Sequence, residues 1–290
     1  MNRSHITIVN QAVDFIVDNL FDHLSVEMIA DHCCFSRHYF NRVFKSVTGE
    51  SIYGFIRRLR IETGAFKLIK FPHLTITVIA AELGYSSSNF SVLFKNHFGM
   101  SPSRFRSNPV LPLNPGTQKV LDRIKALQEN RPEKLLRRMD RQIRFKELPG
   151  IKVIYQRFKG NYGKLPLVWP EFCGRMAALY PGAGLAYYGI SYDDPMIAGR
   201  DRCQYDLCVR VTDQMKTSTR NRRRIAGGDF LCYRFEGRAG ELAGVYNDLL
   251  GVWMPHQGHI MGPGLCFERY YEATDSPDRL VMDICVPVLS

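Results

Sequence analysis

The chain has 290 residues, enough for two domains that each bury a core, and its composition, 45% hydrophobic and 23% charged, is that of an ordinary globular protein. No apolar run approaches the roughly 18 residues of a membrane span, and Met1-Asn2-Arg3-Ser4-His5 opens no secretory segment, so a cytoplasmic location without membrane contact is expected. Net charge is +11, and the excess sits early: residues 1–107 carry 12 Lys/Arg against 8 Asp/Glu and residues 108–147 carry 10 against 5, whereas residues 148–290 are nearly balanced at 17 against 15. A polyanion suits that distribution, and nucleic acid is the commonest one. The eight cysteines form no CxxC pair and no zinc spacing, which suits reduced, buried thiols. P-loop, G-x-S-x-G and zinc-protease patterns are missing from the sequence, and no cofactor is expected.

In chain order, Ile6, Val9, Val13, Ile16 and Leu20 recur at helical spacing. A repeat at an offset of fifty residues follows. Leu24-Ser-Val-Glu-Met-Ile-Ala30 matches Leu74-Thr-Ile-Thr-Val-Ile-Ala80; Phe35-Ser36, Phe40, Phe44-Lys45, Gly49, Ser51 and Phe55 match Tyr85-Ser86, Phe90, Phe94-Lys95, Gly99, Ser101 and Phe105. Each copy predicts a short helix capped by Ser25 or Thr75, a tight turn at Cys34 or Gly84, and a second helix from Ser36 or Ser86 to Gly49 or Gly99. Glycine takes a positive-φ turn without cost; Cys34 does so less comfortably. That is helix-turn-helix geometry, in which the second helix enters the major groove of DNA. Its exposed side carries Arg37, His38, Asn41, Arg42 and Lys45 in the first copy, where Arg suits guanine and Asn suits adenine. The second copy offers Ser87, Ser88, Asn89, Ser91 and Lys95, with Val92 in the place of Arg42, so it is expected to anchor more than it reads. Ile52–Lys70 predicts one long helix holding the two units, and Gly64 inside it suggests close packing.

These residues, with Ile56-Arg57-x2-Arg60-Ile61 and Ser101-Pro102-x2-Phe105-Arg106, make residues 6–107 resemble the AraC/XylS family of bacterial transcription factors. The resemblance implies two major-groove helices about one DNA turn apart on double-stranded promoter DNA, contact with RNA polymerase, usually activation, and a nucleoid-associated place in the cytoplasm. It carries base reading onto His38, Asn41 and Arg42 and onto the region of Ser87, Ser88 and Asn89.

Pro109, Pro112 and Pro115 end this domain. A helix over residues 117–130, broken by Pro132, and a basic stretch with Lys134, Arg137, Arg138, Arg141 and Arg144 read as a linker, residues 108–142, that either touches DNA phosphate or is a solvated connector.

A second repeat, offset by 77 residues, organises residues 143–290: Arg157-Phe-Lys-Gly160 matches Arg234-Phe-Glu-Gly237, and Asp206-Leu-Cys-Val matches Asp283-Ile-Cys-Val. Each copy predicts strand, helix, strand, strand, so the chain as a whole is multidomain: an all-α double helix-turn-helix domain followed by an α+β domain of two βαββ modules. Such a pair leaves a cleft at its pseudo-twofold. Strand alternation puts Cys266, Glu268 and Tyr270 on one face. Glu268 among apolar neighbours is either paired, protonated or waiting for a cation; a surface pair with Arg269 or another Arg is an equal alternative. With Phe158-x-Gly160, Phe235-x-Gly237, Trp253-Met-Pro255-x-x-Gly258 and Glu268-Arg-Tyr270, this half resembles the GyrI-like small-molecule-binding domain, in the Rob-like order of domains. The resemblance implies a pocket centred on Glu268, with Trp253, Tyr270, Trp169, Tyr188 and Tyr205 lining it, for a small effector of cationic amphipathic kind. A hydrolase in which Glu268 and Tyr270 activate water is the alternative function; a non-enzyme is expected. His256 and His259 read as loop residues, and Arg220-x-Arg222-Arg223-Arg224 as a solvated loop or a second DNA contact.

Overall fold

The two fifty-residue copies fold alike in the computed structural model, which describes residues 3–109, 111, 117–212, 215, 221–271 and 279–289. After α1 (Arg3–Asp18) come α2 (Val26–His32) and α3 (Arg37–Thr48), then α4 (Ile52–Lys70), α5 (Ile76–Glu82), α6 (Ser87–Phe98) and α7 (Pro102–Ser107). The caps repeat: Ser25 accepts from the Met28 N–H and Thr75 from the Val78 N–H, Ser51 from Gly54 and Ser101 from Arg104. Gly49 and Gly99 end α3 and α6 at φ 90° and 75°. Phe40 and Phe90 are each fully buried, a contribution of about 2 kcal/mol apiece. Gly64 on α4 meets the Phe90 ring: a Cβ there would stand 2.7 Å from Phe90 Cζ, so only glycine lets α6 approach so closely. Cys34 holds φ 59° where Gly84 holds 74°.

Contacts divide the chain into Met1–Val110 and Leu111–Ser290. The second unit opens with α8 (Gln118–Glu129) and α9 (Glu133–Gln142). Both helices of the expected linker pack within this unit: Arg123 donates to Asp248 at 2.6 Å, and the Trp253 indole donates to Asp140 at 2.8 Å. The remaining elements are β1 (Ile143–Leu148), β2 (Ile151–Lys159), α10 (Leu165–Leu179), β3 (Tyr187–Ser191), α11 (Pro195–Ala198), β4 (Gln204–Arg210), β5 (Arg222–Ile225), β6 (Gly228–Gly237), α12 (Leu242–Asp248), α13 (Met254–His256), β7 (Phe267–Tyr270) and β8 (Leu280–Pro287). They build an antiparallel sheet of order β1-β6-β8-β7-β3-β4-β2-β5, whose halves mirror each other about the β7–β3 pair. Between α12 and α13 the helix widens to a π turn over Leu249–Trp253. Pro255 has no N–H for the Gly251 carbonyl, and the Gln128 side chain donates to it at 2.7 Å.

The sequence pattern missed both edge strands, β1 and β5. Arg222–Ile225, expected to be a solvated loop, pairs with β2, and Arg223 is buried against Tyr192 and Asp206. Alternation on an edge strand turned it inward, which corrects its place on a DNA-facing loop. Pro112, Pro115 and Arg220 lie outside the described residues. Of the eight cysteines, Cys33, Cys203, Cys208, Cys232 and Cys285 are buried, Cys173 and Cys266 are half-buried, and Cys34 is exposed. No described helix is long and apolar enough to cross a membrane.

Candidate DNA-reading helices and a buried carboxylate

On α3, Arg37, His38, Asn41 and Arg42 line a cleft of about 510 Å³ together with Val26, Ser51 and Tyr53. Arg37, His38, Arg42 and Lys45 are exposed. Arg37 holds Glu27 of α2 in a surface pair that solvent screens and that is easily exchanged for a phosphate. Arg42 lies 6.0 Å from the centre of the Tyr39 ring. Asn41 departs from expectation. Its Oδ1 accepts the Ile52 N–H at 3.1 Å and so fixes the start of α4. That bond uses one of the two acceptor positions of the oxygen, so Asn41 also positions α3 against the start of α4.

The second copy differs in chemistry rather than in shape. Ser87 Oγ donates to Thr77 Oγ1 at 3.2 Å, Ser91 Oγ to its own helix at Ser87 O at 2.8 Å, and Ser88 Oγ lies 3.2 Å from Ser86 Oγ. The Asn89 backbone N–H is taken by the Ser86 cap, while its side chain, Val92 and Lys95 face solvent.

In the sheet unit the helices α10 and α12 lie on the face of Tyr205, Leu207 and Glu268, with Phe172 and Met176 of α10 in one apolar cluster with Tyr205, Leu207 and Val209. Glu268 on β7 is buried and opposite Gly189 on β3. Three tyrosines serve its carboxylate. Tyr205 donates to Oε2, Tyr270 donates to Oε2 at 3.0 Å and Tyr246 of α12 donates to Oε1 at 3.0 Å. The Trp169 ring of α10 stands 4.9 Å from Tyr270, 6.2 Å from Tyr205 and 6.3 Å from Tyr187, centre to centre. Burial raises the Glu268 carboxyl above its usual pKa, and the three tyrosine hydrogen bonds oppose that rise. Burial, with the Glu268 charge adding to it, pushes the Cys266 thiol up to about 12, which keeps it neutral. Among the described residues Glu268 makes no ion pair; its carboxylate is buried and Arg269 points to the other face, over the Tyr271 ring at 5.2 Å, so the surface pair is excluded.

Two of the expected wall residues lie elsewhere. Tyr188 faces the opposite side of the sheet, in the cluster of Val153, Ile190, Cys208 and Phe267. Side chains alternate along a strand, and its neighbour Tyr187 is the one that faces Trp169. Trp253 sits on the π turn, bonded to Asp140 and stacked on His259 at 5.5 Å, and so belongs to the seam with α9. Trp169, Tyr205 and Tyr270 do gather at Glu268. Tyr246 was missed, although the 77-residue offset places it opposite Trp169 in the repeat. His256 Nε2 lies 2.7 Å from the Leu127 carbonyl, and no metal-holding cluster appears among the described residues.

The model of the GyrI-like small molecule binding domain matches residues 141–289, and a helix-turn-helix domain model matches residues 29–108. MarA, the multiple antibiotic resistance protein of Salmonella typhimurium, is 33% identical over 123 residues, which is 40% of this chain and 95% of MarA. The chain belongs to the AraC/XylS family and carries a GyrI-like domain. The Msm operon regulatory protein of Streptococcus mutans is 37% identical over 106 residues, 36% of this chain. The HTH-type transcriptional regulator AlkR of Acinetobacter baylyi is 39% identical over 83 residues, 28% of this chain. This AraC/XylS member spans only 38% and 27% of the lengths of those two curated relatives. All three likenesses concern a minority of the chain, whereas the GyrI-like match takes in the whole sheet and both aromatic helices around Glu268.

Proposed function

We propose that this AraC/XylS member regulates transcription, as an activator, by reading promoter DNA with α3 and α6 while its GyrI-like domain takes a small cationic, amphipathic effector at Glu268. The first half rests on the duplication: two caps, two positive-φ turns and two outward helix faces repeat at one offset, and the basic set of α3 is exposed. Phosphate contacts hold such a protein in register and base-edge contacts give it sequence. Arg42 and His38 carry base reading; Arg37, Lys45 and Lys95 supply charge for phosphates. Contact with RNA polymerase at the promoter, in a cytoplasmic, nucleoid-bound setting, belongs to the same proposal.

The effector half rests on a single observation: a buried carboxylate with no cation of its own among the described residues, ringed by aromatic side chains. Such a site gains most from a ligand that brings positive charge and apolar surface together. The same tyrosines argue for binding over hydrolysis. Three donors oppose the rise that burial gives the Glu268 pKa and occupy the oxygens that a general base would turn toward water.

Two measurements test the proposal on the full chain. Arg42→Ala should weaken specific DNA binding by about 1–3 kcal/mol, the worth of a bidentate base contact; an unchanged footprint would remove α3 from the reading role. Glu268→Gln should cost affinity for cationic dyes far more than for neutral ones of like size, and equal losses would discard the charge argument.

A further inference from the structure

We propose that Val92 is a specificity-determining residue of α6 and reads the C5-methyl group of a thymine. The inference rests on the placement of α6 in a major groove proposed above. An exposed apolar side chain is ordinary by itself; the surroundings of this one are not. Val92 is 58% exposed, and the fifty-residue offset puts it where α3 carries the exposed Arg42. The other large exposed apolar residue of this copy, Val78, has an equally apolar and exposed counterpart in Met28, so among these large side chains the exchange from cationic to apolar falls at the 42/92 position. Around Val92 the hydroxyls already have partners within the protein: Ser91 donates to Ser87 O, Ser87 donates to Thr77 at the surface, and Ser88 lies 3.2 Å from Ser86. Ser88, Val92 and Lys95 follow one another at i, i+4 and i+7 on the exposed side of α6, so the branched methyls stand between a serine already paired with Ser86 and a lysine suited to phosphate. A face of this kind offers no fork of donors to guanine. In the major groove, the base-edge feature that an apolar side chain recognises is the thymine methyl.

The test uses the full chain and a duplex that it selects from a random library. Thymines of the selected site are replaced one at a time by deoxyuridine, which removes the methyl and keeps the pairing. In the half of the site that Arg42→Ala leaves unaltered, one replacement should weaken wild-type binding roughly fourfold, the worth of one buried methyl group. Val92→Ser should bind the thymine and uracil duplexes equally, and Val92→Arg should shift selection at that position toward guanine. Wild-type indifference to every uracil, the absence of a selected thymine in that half, or a Val92→Ser protein as sensitive as wild type each overturns the assignment. Arg42→Ala on the same duplexes separates the failures. A loss there with indifference to uracil overturns Val92 and leaves DNA reading standing; no loss in either overturns both.

Discussion

Gly189 and Glu268 sit directly opposite each other on β3 and β7, and a Cβ on Gly189 would stand 2.5 Å from Glu268 Oε2. The same Cβ would strike the Tyr205 hydroxyl. The missing side chain is therefore the space in which the Tyr205–Glu268 hydrogen bond forms. Gly189→Ala should destabilise the second unit by about 1–3 kcal/mol, as overpacking of a buried site does. It should also remove cationic-dye binding at protein concentrations where the fold persists. Urea unfolding gives the first quantity and a dye titration the second; a stable variant with unchanged dye affinity would show that the glycine matters to neither.

Glu268 gives a pH dependence whose sign follows from its surroundings. Burial raises its pKa above the ordinary 4.5, against the pull of Tyr205, Tyr270 and Tyr246. A carboxyl raised on folding contributes stability that is fully present below its unfolded value and is lost as pH rises through the folded one. The stability of wild type relative to Glu268→Gln should therefore fall as pH climbs from 4.5. A cationic ligand prefers the ionised form, so its affinity should rise across the same window and then level off. A flat comparison on both measures would place the Glu268 titration at its ordinary value.

The duplicated parts were the legible ones. Ser25 and Thr75, Gly49 and Gly99, or Asp206 and Asp283 stand at fixed offsets because caps, turns and paired strands impose the same local demand twice. What depends on register or on a partner from elsewhere was not legible. Tyr187 and Tyr188 are chemically alike, and only the pairing of Tyr188 with Cys208 and Arg269 shows which one leaves the Glu268 face. Trp253 was displaced by a π turn, which adds a residue to the helical period. The bond from the Ile52 N–H to Asn41 joins residues eleven apart, and the helical pattern of α3 carries no sign of it. Tyr246 was within reach, since Trp169 and Tyr246 hold equivalent places at the 77-residue offset.

The turns of the two helix-turn-helix units allow a matched pair of substitutions. Cys34 holds φ 59° with a side chain, and Gly84 holds φ 74° without one. A left-handed residue with a Cβ costs about 1–2 kcal/mol, offset in part by the larger entropy that glycine loses on folding. Cys34→Gly should stabilise Met1–Val110 by up to about 1 kcal/mol, and Gly84→Cys should destabilise the same stretch by about as much. No clash complicates the second change, because the nearest atom to a Cβ on Gly84 is Arg60 Nη1 at 3.4 Å. Thermal unfolding of both variants decides it: shifts of the same sign would mean that the backbone angle is not what limits these turns.

Equivalent arginines in the second repeat should prove unequal. Arg157 donates to both oxygens of Asp206, at 2.9 and 2.8 Å, with side chains 7% and 0% exposed. Its counterpart Arg234 donates to Asp283 at 2.8 Å but is 37% exposed, and Asp283 keeps Lys146 at 3.4 Å and the Tyr271 hydroxyl at 2.6 Å. Removing one partner of a buried pair leaves a charge stranded, at a cost of about 3 kcal/mol or more; a solvent-screened pair is worth at most about 1 kcal/mol. Arg157→Met should therefore lower the urea midpoint of the full chain severely, and Arg234→Met only slightly. Equal losses would mean that Arg223, which lies 3.8 Å from Asp206 Oδ2, takes over the charge when Arg157 is gone.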